Sequence, residues 1–271
     1  MRAQRFDEAE PLFVEALAMH RRLGNAASIA PAKCLEGLAK IATQRGDCDG
    51  ALRLLDEALP MRERDGDVLR LAHHWQSVAI ANMMGKRLEA ADAAYDKALA
   101  LLPTAGNEAY LANLLMNLGN LRVGQHRLQD AEANFRRALG LAETCYGKSS
   151  PRLVPMLLNV GTICAQTGRL DQAEPALRRA VAVGGDETKS TDHAYASALG
   201  NLAKLCAIQD RLEEAAGFYR RADAMEQRLR PGSSGHLELL HDFAAVRERL
   251  GDDIGADTIR DRIDAMQKPA K

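Results

Sequence analysis

One alanine returns along this chain at a nearly constant interval, and that interval decides what the chain can fold into. Its clearest settings are Glu8-Ala9…Phe13…Ala16, Asp130-Ala131…Phe135…Ala138, Gln172-Ala173…Leu177…Ala180 and Glu214-Ala215…Tyr219…Ala222. Taking the first alanine of each copy as a marker gives Ala9, Ala51, Ala91, Ala131, Ala173, Ala215 and Ala256, at steps of 42, 40, 40, 42, 42 and 41 residues. A period of about 40 residues belongs to stacked repeats, each burying its apolar face on its neighbours, rather than to one globular core. An array of this kind offers a long surface in place of a single pocket.

Each marker lies near the start of the second of two helical patterns. The first appears as Leu111-Ala-Asn-Leu-Leu-Met-Asn-Leu-Gly in one copy and as Leu153-Val-Pro-Met-Leu-Leu-Asn-Val-Gly in the next, with apolar residues three and four apart. A small residue stands twelve before the marker in six copies: Ala39, Ala79, Gly119, Gly161, Ala203 and Ala244. Facing small residues allow two antiparallel helices to approach closely, and a larger side chain there overpacks. Short turns such as Arg45-Gly-Asp, Gly85-Lys-Arg, Gly124-Gln-His-Arg and Thr167-Gly-Arg join the two helices, with glycine expected to supply the positive φ. Longer breakers separate the repeats, including Leu23-Gly-Asn, Pro103-Thr-Ala-Gly-Asn, Tyr146-Gly-Lys-Ser-Ser-Pro and Gly184-Gly-Asp-Glu. No alternating strand pattern is present, so the chain reads as all-α. The expected organisation is one array over residues 1–271, with segments at about 1–25 (a second helix only), 26–65, 66–105, 106–148, 149–187, 188–232 and 233–271.

The ends differ from the middle. Ile254, Ile259, Ile263 and Met266 are expected on the inner side of the last helix, with Asp257, Arg260, Asp261 and Asp264 outside, as a terminal cap requires. At the other end the first marker is residue 9, too early for a partner helix before it, and Phe6, Phe13 and Leu17 would be uncovered on one side. That edge suits either a longer array or self-association through the uncapped N-terminal helix.

Charge narrows the function. The 36 Lys and Arg nearly cancel the 37 Asp and Glu, a net charge of −1, which argues against a nucleic-acid surface. No apolar stretch is long enough to span a bilayer, and no signal region precedes the first helix. Five cysteines without a CxxC pair read as small buried hydrophobes in a reducing compartment, so a cytoplasmic location is expected. His73 and His74 diverge by about 100° on a helix and do not converge on one metal ion. Charge runs such as Arg62-Glu-Arg-Asp65 and Arg136-Arg137 read as solvated helix faces, and His193 as a solvated loop residue. Gly184-Gly185 and Pro231-Gly-Ser-Ser-Gly235 lack any phosphate-loop context. No nucleophile, base and oxyanion set is discernible, so neither catalysis nor a cofactor or metal is expected.

Trp75-Gln-Ser-Val78-Ala79, followed by Ala91, Tyr95 and Ala98, matches the tetratricopeptide repeat in order and spacing. The longer period, the Asn-Leu-(Gly/Ala) in the first helices and Tyr146-Gly-Lys-Ser-Ser-Pro151 resemble the kinesin-light-chain subtype. The departures are Gly50 and Gly255, which precede their markers where an acid is usual, and the missing aromatic of the last copy. The resemblance implies a right-handed superhelical solenoid of antiparallel helix pairs whose first helices line a concave groove. It also implies an extended peptide or protein segment as partner, held by asparagines. The column fourteen before each marker holds Gly37, Ser77, Asn117, Asn159, Asn201 and Asp242. An asparagine amide offers a donor and an acceptor to a peptide backbone; bonding between adjacent helices is its bland role. The expected groove is therefore Asn117, Asn120, Asn159, Asn201 and Lys204, with Gln76, Ser77, Met116 and Leu158 beside them. The function that follows is a non-catalytic adaptor or scaffold. The alternative is a regulatory or sensor segment of a larger signalling protein whose effector domain lies outside this chain.

Overall fold

The computed structural model describes residues 2–23, 29–103, 106–186 and 190–267, with side chains from residue 6 onward. The breaker residues Gly24-Asn25, Thr104-Ala105 and Glu187 lie outside the described residues. Every regular element described is helical, and the described chain forms two compact units, residues 1–127 and 128–271. The first unit contains α1 (Arg2–Arg22), α2 (Ala30–Gln44), α3 (Cys48–Asp65), α4 (Val68–Met84), α5 (Leu88–Ala100) and α6 (Glu108–Gly124). The second contains α7 (Leu128–Tyr146), a 3₁₀ turn at Pro151–Leu153, α8 (Val154–Gln166), α9 (Leu170–Val183), α10 (His193–Ile208), α11 (Leu212–Leu229), α12 (Ser234–Arg249) and α13 (Asp253–Gln267). No helix among the described residues is long and apolar enough to cross a membrane.

The alanine columns form the packing seams. Within the units α2 pairs with α3, α4 with α5, α8 with α9, α10 with α11 and α12 with α13. The markers Ala51, Ala91, Ala131, Ala173, Ala215 and Ala256 are fully buried, as are Leu55, Tyr95, Phe135, Leu177 and Tyr219 four residues on. The small residues twelve before them are buried too. Gly161 shows why that column stays small: a Cβ there would lie 2.6 Å from Leu177 Cγ and 3.3 Å from the carbonyl oxygen of Ala173. First helices also touch one another in sequence, α2 with α4, α8 with α10 and α10 with α12.

The turns inside the repeats share one geometry. The residue five before each marker from Ala51 onward has a left-handed backbone: Gly46, Lys86, His126, Gly168, Asp210 and Gly251. The next residue's N–H then bonds a carbonyl five residues back, for example Arg87 to Asn82 and Arg169 to Cys164, both at 2.9 Å. This is the Schellman closure. The expectation that glycine supplies the positive φ therefore fails in three turns. Gly85 has φ −78° and Gly124 is helical, while Lys86 and His126 take the strained position.

The departures at Gly50 and Gly255 have a local cause. In those two repeats the residue before the second helix is aspartate, and its carboxylate caps the helix: Asp47 accepts from the Gly50 N–H at 2.8 Å and Asp252 from that of Gly255 at 3.0 Å. In the other repeats that place holds arginine, which reaches back to an acid of the preceding repeat. Arg87 bonds Asp49 at 2.6 Å, Arg127 pairs with Asp92 at 3.6 Å, Arg169 bonds Glu132 at 3.0 Å and Arg211 pairs with Glu174 at 2.8 Å. These arginines clip successive repeats together.

Several expectations about charge and burial are corrected. Arg62 is no solvated residue: its side chain is 4% exposed and pairs with Glu36 at 2.5 Å, while His74 meets the same carboxylate at 3.2 Å. Arg136 and Arg137, by contrast, stay exposed as expected, with Arg136 bonded to Glu132 at 2.8 Å and Gln172 at 2.9 Å. His193 is paired, its Nδ1 lying 2.5 Å from Glu226 Oε1. Ile254 is 83% exposed while Ile259 and Ile263 are buried, because five residues turn a helix about 140° and carry Ile254 off the inner face. On α1, Leu17 is buried and Phe13 packs with it against α2 residues, whereas Leu12, Val14, Met19 and Leu23 are exposed.

Candidate binding surface

Among the described residues, clefts open along seams between neighbouring first helices in both units. In the first unit a cleft of about 290 Å³ lies between α2 and α4, lined by Lys40, Thr43, Gln44, His73, Gln76 and Ser77 among others. In the second, a cleft of about 310 Å³ between α8 and α10 is lined by Thr162, Gln166, Asn201, Lys204 and Ile208. A third of about 180 Å³ lies between α10 and α12, with Asn201 and Lys204 on its other wall. Clefts of this size lie at or below the small end of ligand pockets, with room for a side chain or two.

Gln76, Ser77, Asn201 and Lys204 are thus brought to clefts. Met116 and Asn117, half-buried, and the exposed Asn120 lie on α6 in the first unit and line none of these three clefts. Leu158 and Asn159 are half-buried on α8, one turn before Thr162. Gly37, in the same column, is covered: a Cβ there would lie 2.7 Å from the Phe13 ring.

The polar groups at the clefts have local partners. Asn201 Nδ2 donates to Thr162 Oγ1 at 2.8 Å, so this amide ties α10 to α8. Ser77 Oγ donates to the carbonyl of His73 within its own helix at 3.0 Å. Lys204 Nζ stands 3.4 Å from Asp242 and 3.9 Å from Glu238. The His73 ring packs edge-on against Tyr110, with centroids 4.2 Å apart, and burial holds its imidazole toward the neutral form. Lys97 Nζ lies 4.0 Å over the Trp75 ring.

The remaining titratable groups are structural in character. Burial pushes the Cys206 thiol up to about 11 and raises Cys34 and Cys164, which keeps these thiols protonated and unreactive. His236, fully buried, bonds Asp223 through Nε2 at 2.8 Å, and Arg262 grips the same carboxylate with two bonds of 2.9 Å. Burial alone would raise the Asp223 carboxyl, but the hydrogen bonds from Arg262 and His236 hold it below its ordinary value. Among the described residues, no three His, Cys, Asp or Glu side chains are placed to share a metal ion. Column position named Asp242 but missed its gathering with Glu226 and Glu238 at the α10–α12 cleft, because Glu226 comes from α11 and the other two from α12.

Residues 67–233 match the family model for the MalT-like TPR region, and residues 1–64 match a model for the tetratricopeptide repeat. Kinesin light chain-related protein 3 of Arabidopsis thaliana is 29% identical over 153 residues, which make up 56% of this chain and 24% of that protein. The chain therefore matches about a quarter of that relative's length. Among solved structures, BtubC (BKLC) from P. vanneervenii superposes with a TM-score of 0.71 at 20% identity, covering 85% of this chain and 96% of that one. The quorum sensor NprR from B. thuringiensis, in its apo form, superposes with a TM-score of 0.74 at 11% identity, covering 98% and 72%. At these identities the two structures speak for the fold alone.

Proposed function

The chain belongs to the tetratricopeptide-repeat family, of the kinesin-light-chain-like type, and we propose that it is a non-catalytic, cytoplasmic adaptor that holds an extended peptide or protein segment along its first helices. One observation carries the reading: small clefts open at two successive first-helix seams of the second unit, α8–α10 and α10–α12, and at the α2–α4 seam within the first. A repeating row of small recesses suits a partner that is itself extended and presents side chains at intervals. The unbroken sequence period supports reading residues 1–271 as one array. In this proposal neither nucleic acid nor membrane is a partner, and the exposed apolar residues of α1 serve self-association or a neighbouring repeat.

The test is a peptide array probed with the chain, followed by titration of the captured peptides against a variant with Asn117, Asn159 and Asn201 all replaced by Ala. Unchanged far-UV circular dichroism with affinity lowered by about tenfold or more is expected. Equal affinity for variant and parent would remove the asparagines from the groove.

A regulatory segment of a larger signalling protein is the second reading. The fold shared with a quorum sensor is compatible with that reading and, at 11% identity, carries no role across. An effector domain in the same reading frame would decide for it.

A further inference from the structure

We infer that the cleft between α10 and α12 is a pocket for a cationic side chain, guanidinium or ammonium, of the bound segment; the inference rests on the peptide-binding reading above. The carrying observation is Glu226. It lines the cleft, its side chain is only 3% exposed, and its Oε2 has no hydrogen-bond partner. A buried carboxylate oxygen without a donor is costly, and native structures supply one.

The neighbours fix the sign of the missing group. His193 serves only the other oxygen, with its Nδ1 2.5 Å from Glu226 Oε1. The His193 Nε2 faces the guanidinium of Arg230 and lies 3.4 Å from Ser197 Oγ. At the mouth stand Glu238 and Asp242, whose side chains are 74% and 37% exposed. Burial first, and then the charge of Asp242, with Cys206 and Glu238 adding to it, push the Tyr219 phenol upward, as a negative recess should. Three carboxylates thus line the cleft with one lysine, Lys204, which already leans toward the two at the mouth, while the Arg230 guanidinium faces His193. They do not converge as metal ligands do, since no three such groups among the described residues share a metal position. A long side chain with a charged tip fits this spread: its stem would pass between Glu238 and Asp242 and its N–H donors would reach Glu226.

In this arrangement Lys204 is a competitor for the pocket rather than a contact for the partner. That reverses its expected role and gives a test with opposite signs. Four nonapeptides of alternating Ser and Ala, with Arg, Lys, norleucine or Glu at the centre, would be titrated into ¹⁵N-labelled protein. The amides of Gly200 and Gly235, which line the cleft, report on it. The Arg and Lys peptides should move both amides, and the norleucine and Glu peptides should not. Lys204→Ala should tighten the Arg peptide about threefold or more, and Glu226→Gln should weaken it about fivefold or more. The exposed pair Glu238→Gln with Asp242→Asn provides a variant that leaves the core untouched and should also weaken it. Four peptides that bind alike, or a Lys204→Ala variant that binds the Arg peptide more weakly, would overturn the cation pocket while leaving the groove reading in place. Absence of any shift along the first helices with all four would overturn both.

Discussion

The carboxylate of Asp47 occupies the space a side chain at position 50 would need: its Oδ1 accepts the Gly50 N–H at 2.8 Å, and a Cβ on Gly50 would lie 2.0 Å from its Oδ2. The two residues act as one unit, and Arg87 with Ala90 is the alternative unit found one repeat later. Gly50→Ala alone should displace the cap and cost about 1 kcal/mol. In an Asp47→Arg background the same change should be neutral or stabilising, because alanine is the better helix former. Urea unfolding of the four proteins of this cycle measures the coupling, and additive effects would disprove the paired arrangement.

Lys86 sits at φ 59°, where repeats elsewhere place glycine. A left-handed conformation costs a non-glycine residue about 1–2 kcal/mol, partly offset by the freedom glycine restores to the unfolded chain. Lys86→Gly should therefore stabilise the first unit by about 0.5–1 kcal/mol. Gly168→Ala, at φ 76° in the equivalent turn, should destabilise the second by a similar or larger amount. Thermal melts that move in the same direction for both would contradict the turn geometry.

Asp223 makes stability depend on pH on the acid side. Its folded carboxyl is held below the unfolded value by Arg262 and His236 against the opposing effect of burial. A depressed carboxylate contributes stability that is complete above the unfolded value of about 3.9 and fades as pH falls through the folded one. Asp223→Asn should cost about 2–4 kcal/mol near neutral pH, since it leaves Arg262 and His236 without their carboxylate. The gap between variant and parent should narrow when urea midpoints are taken near pH 3. A gap of constant size would show that the carboxylate acts by shape and not by charge.

Asn201 has a bond inside the fold as well as a proposed partner outside it. Its donation to Thr162 Oγ1 ties α10 to α8, so Asn201→Ala should cost about 1 kcal/mol of stability. Thr162→Val removes the same bond while keeping the amide at the cleft. If Asn201 serves the peptide, Thr162→Val should lose stability but retain affinity, and Asn201→Ala should lose both. Equal loss of affinity in the two variants would assign Asn201 to the helix seam.

Some of the candidate surface was readable before any coordinates, and some was not. Gln76, Ser77, Asn201 and Lys204, expected in a groove from the resemblance, do line clefts, because a periodic helix presents equivalent residues at equivalent places; Met116, Asn117, Asn120, Leu158 and Asn159 line none of those described. The same rule failed at Gly37, where the Phe13 ring fills the site, and at Ile254, where the helical angle carries the side chain outward. It gave no warning of Glu226, which reaches the α10–α12 cleft from α11.

By itself the sequence determined the helix pairs, their order and the small-residue seams on which they pack. Those features follow from a pattern of side-chain size and polarity that repeats within each 40- to 42-residue step. Tertiary structure alone decided which charges meet. Glu36 with Arg62 and His74, Arg169 with Glu132, and the acids around Lys204 are 22 to 38 residues apart in sequence. Their pairing depends on where one repeat lies on the next. Packing periodicity is a local property of the chain, whereas an ion pair is decided over a few ångströms after stacking, and burial then determines how much that pair is worth.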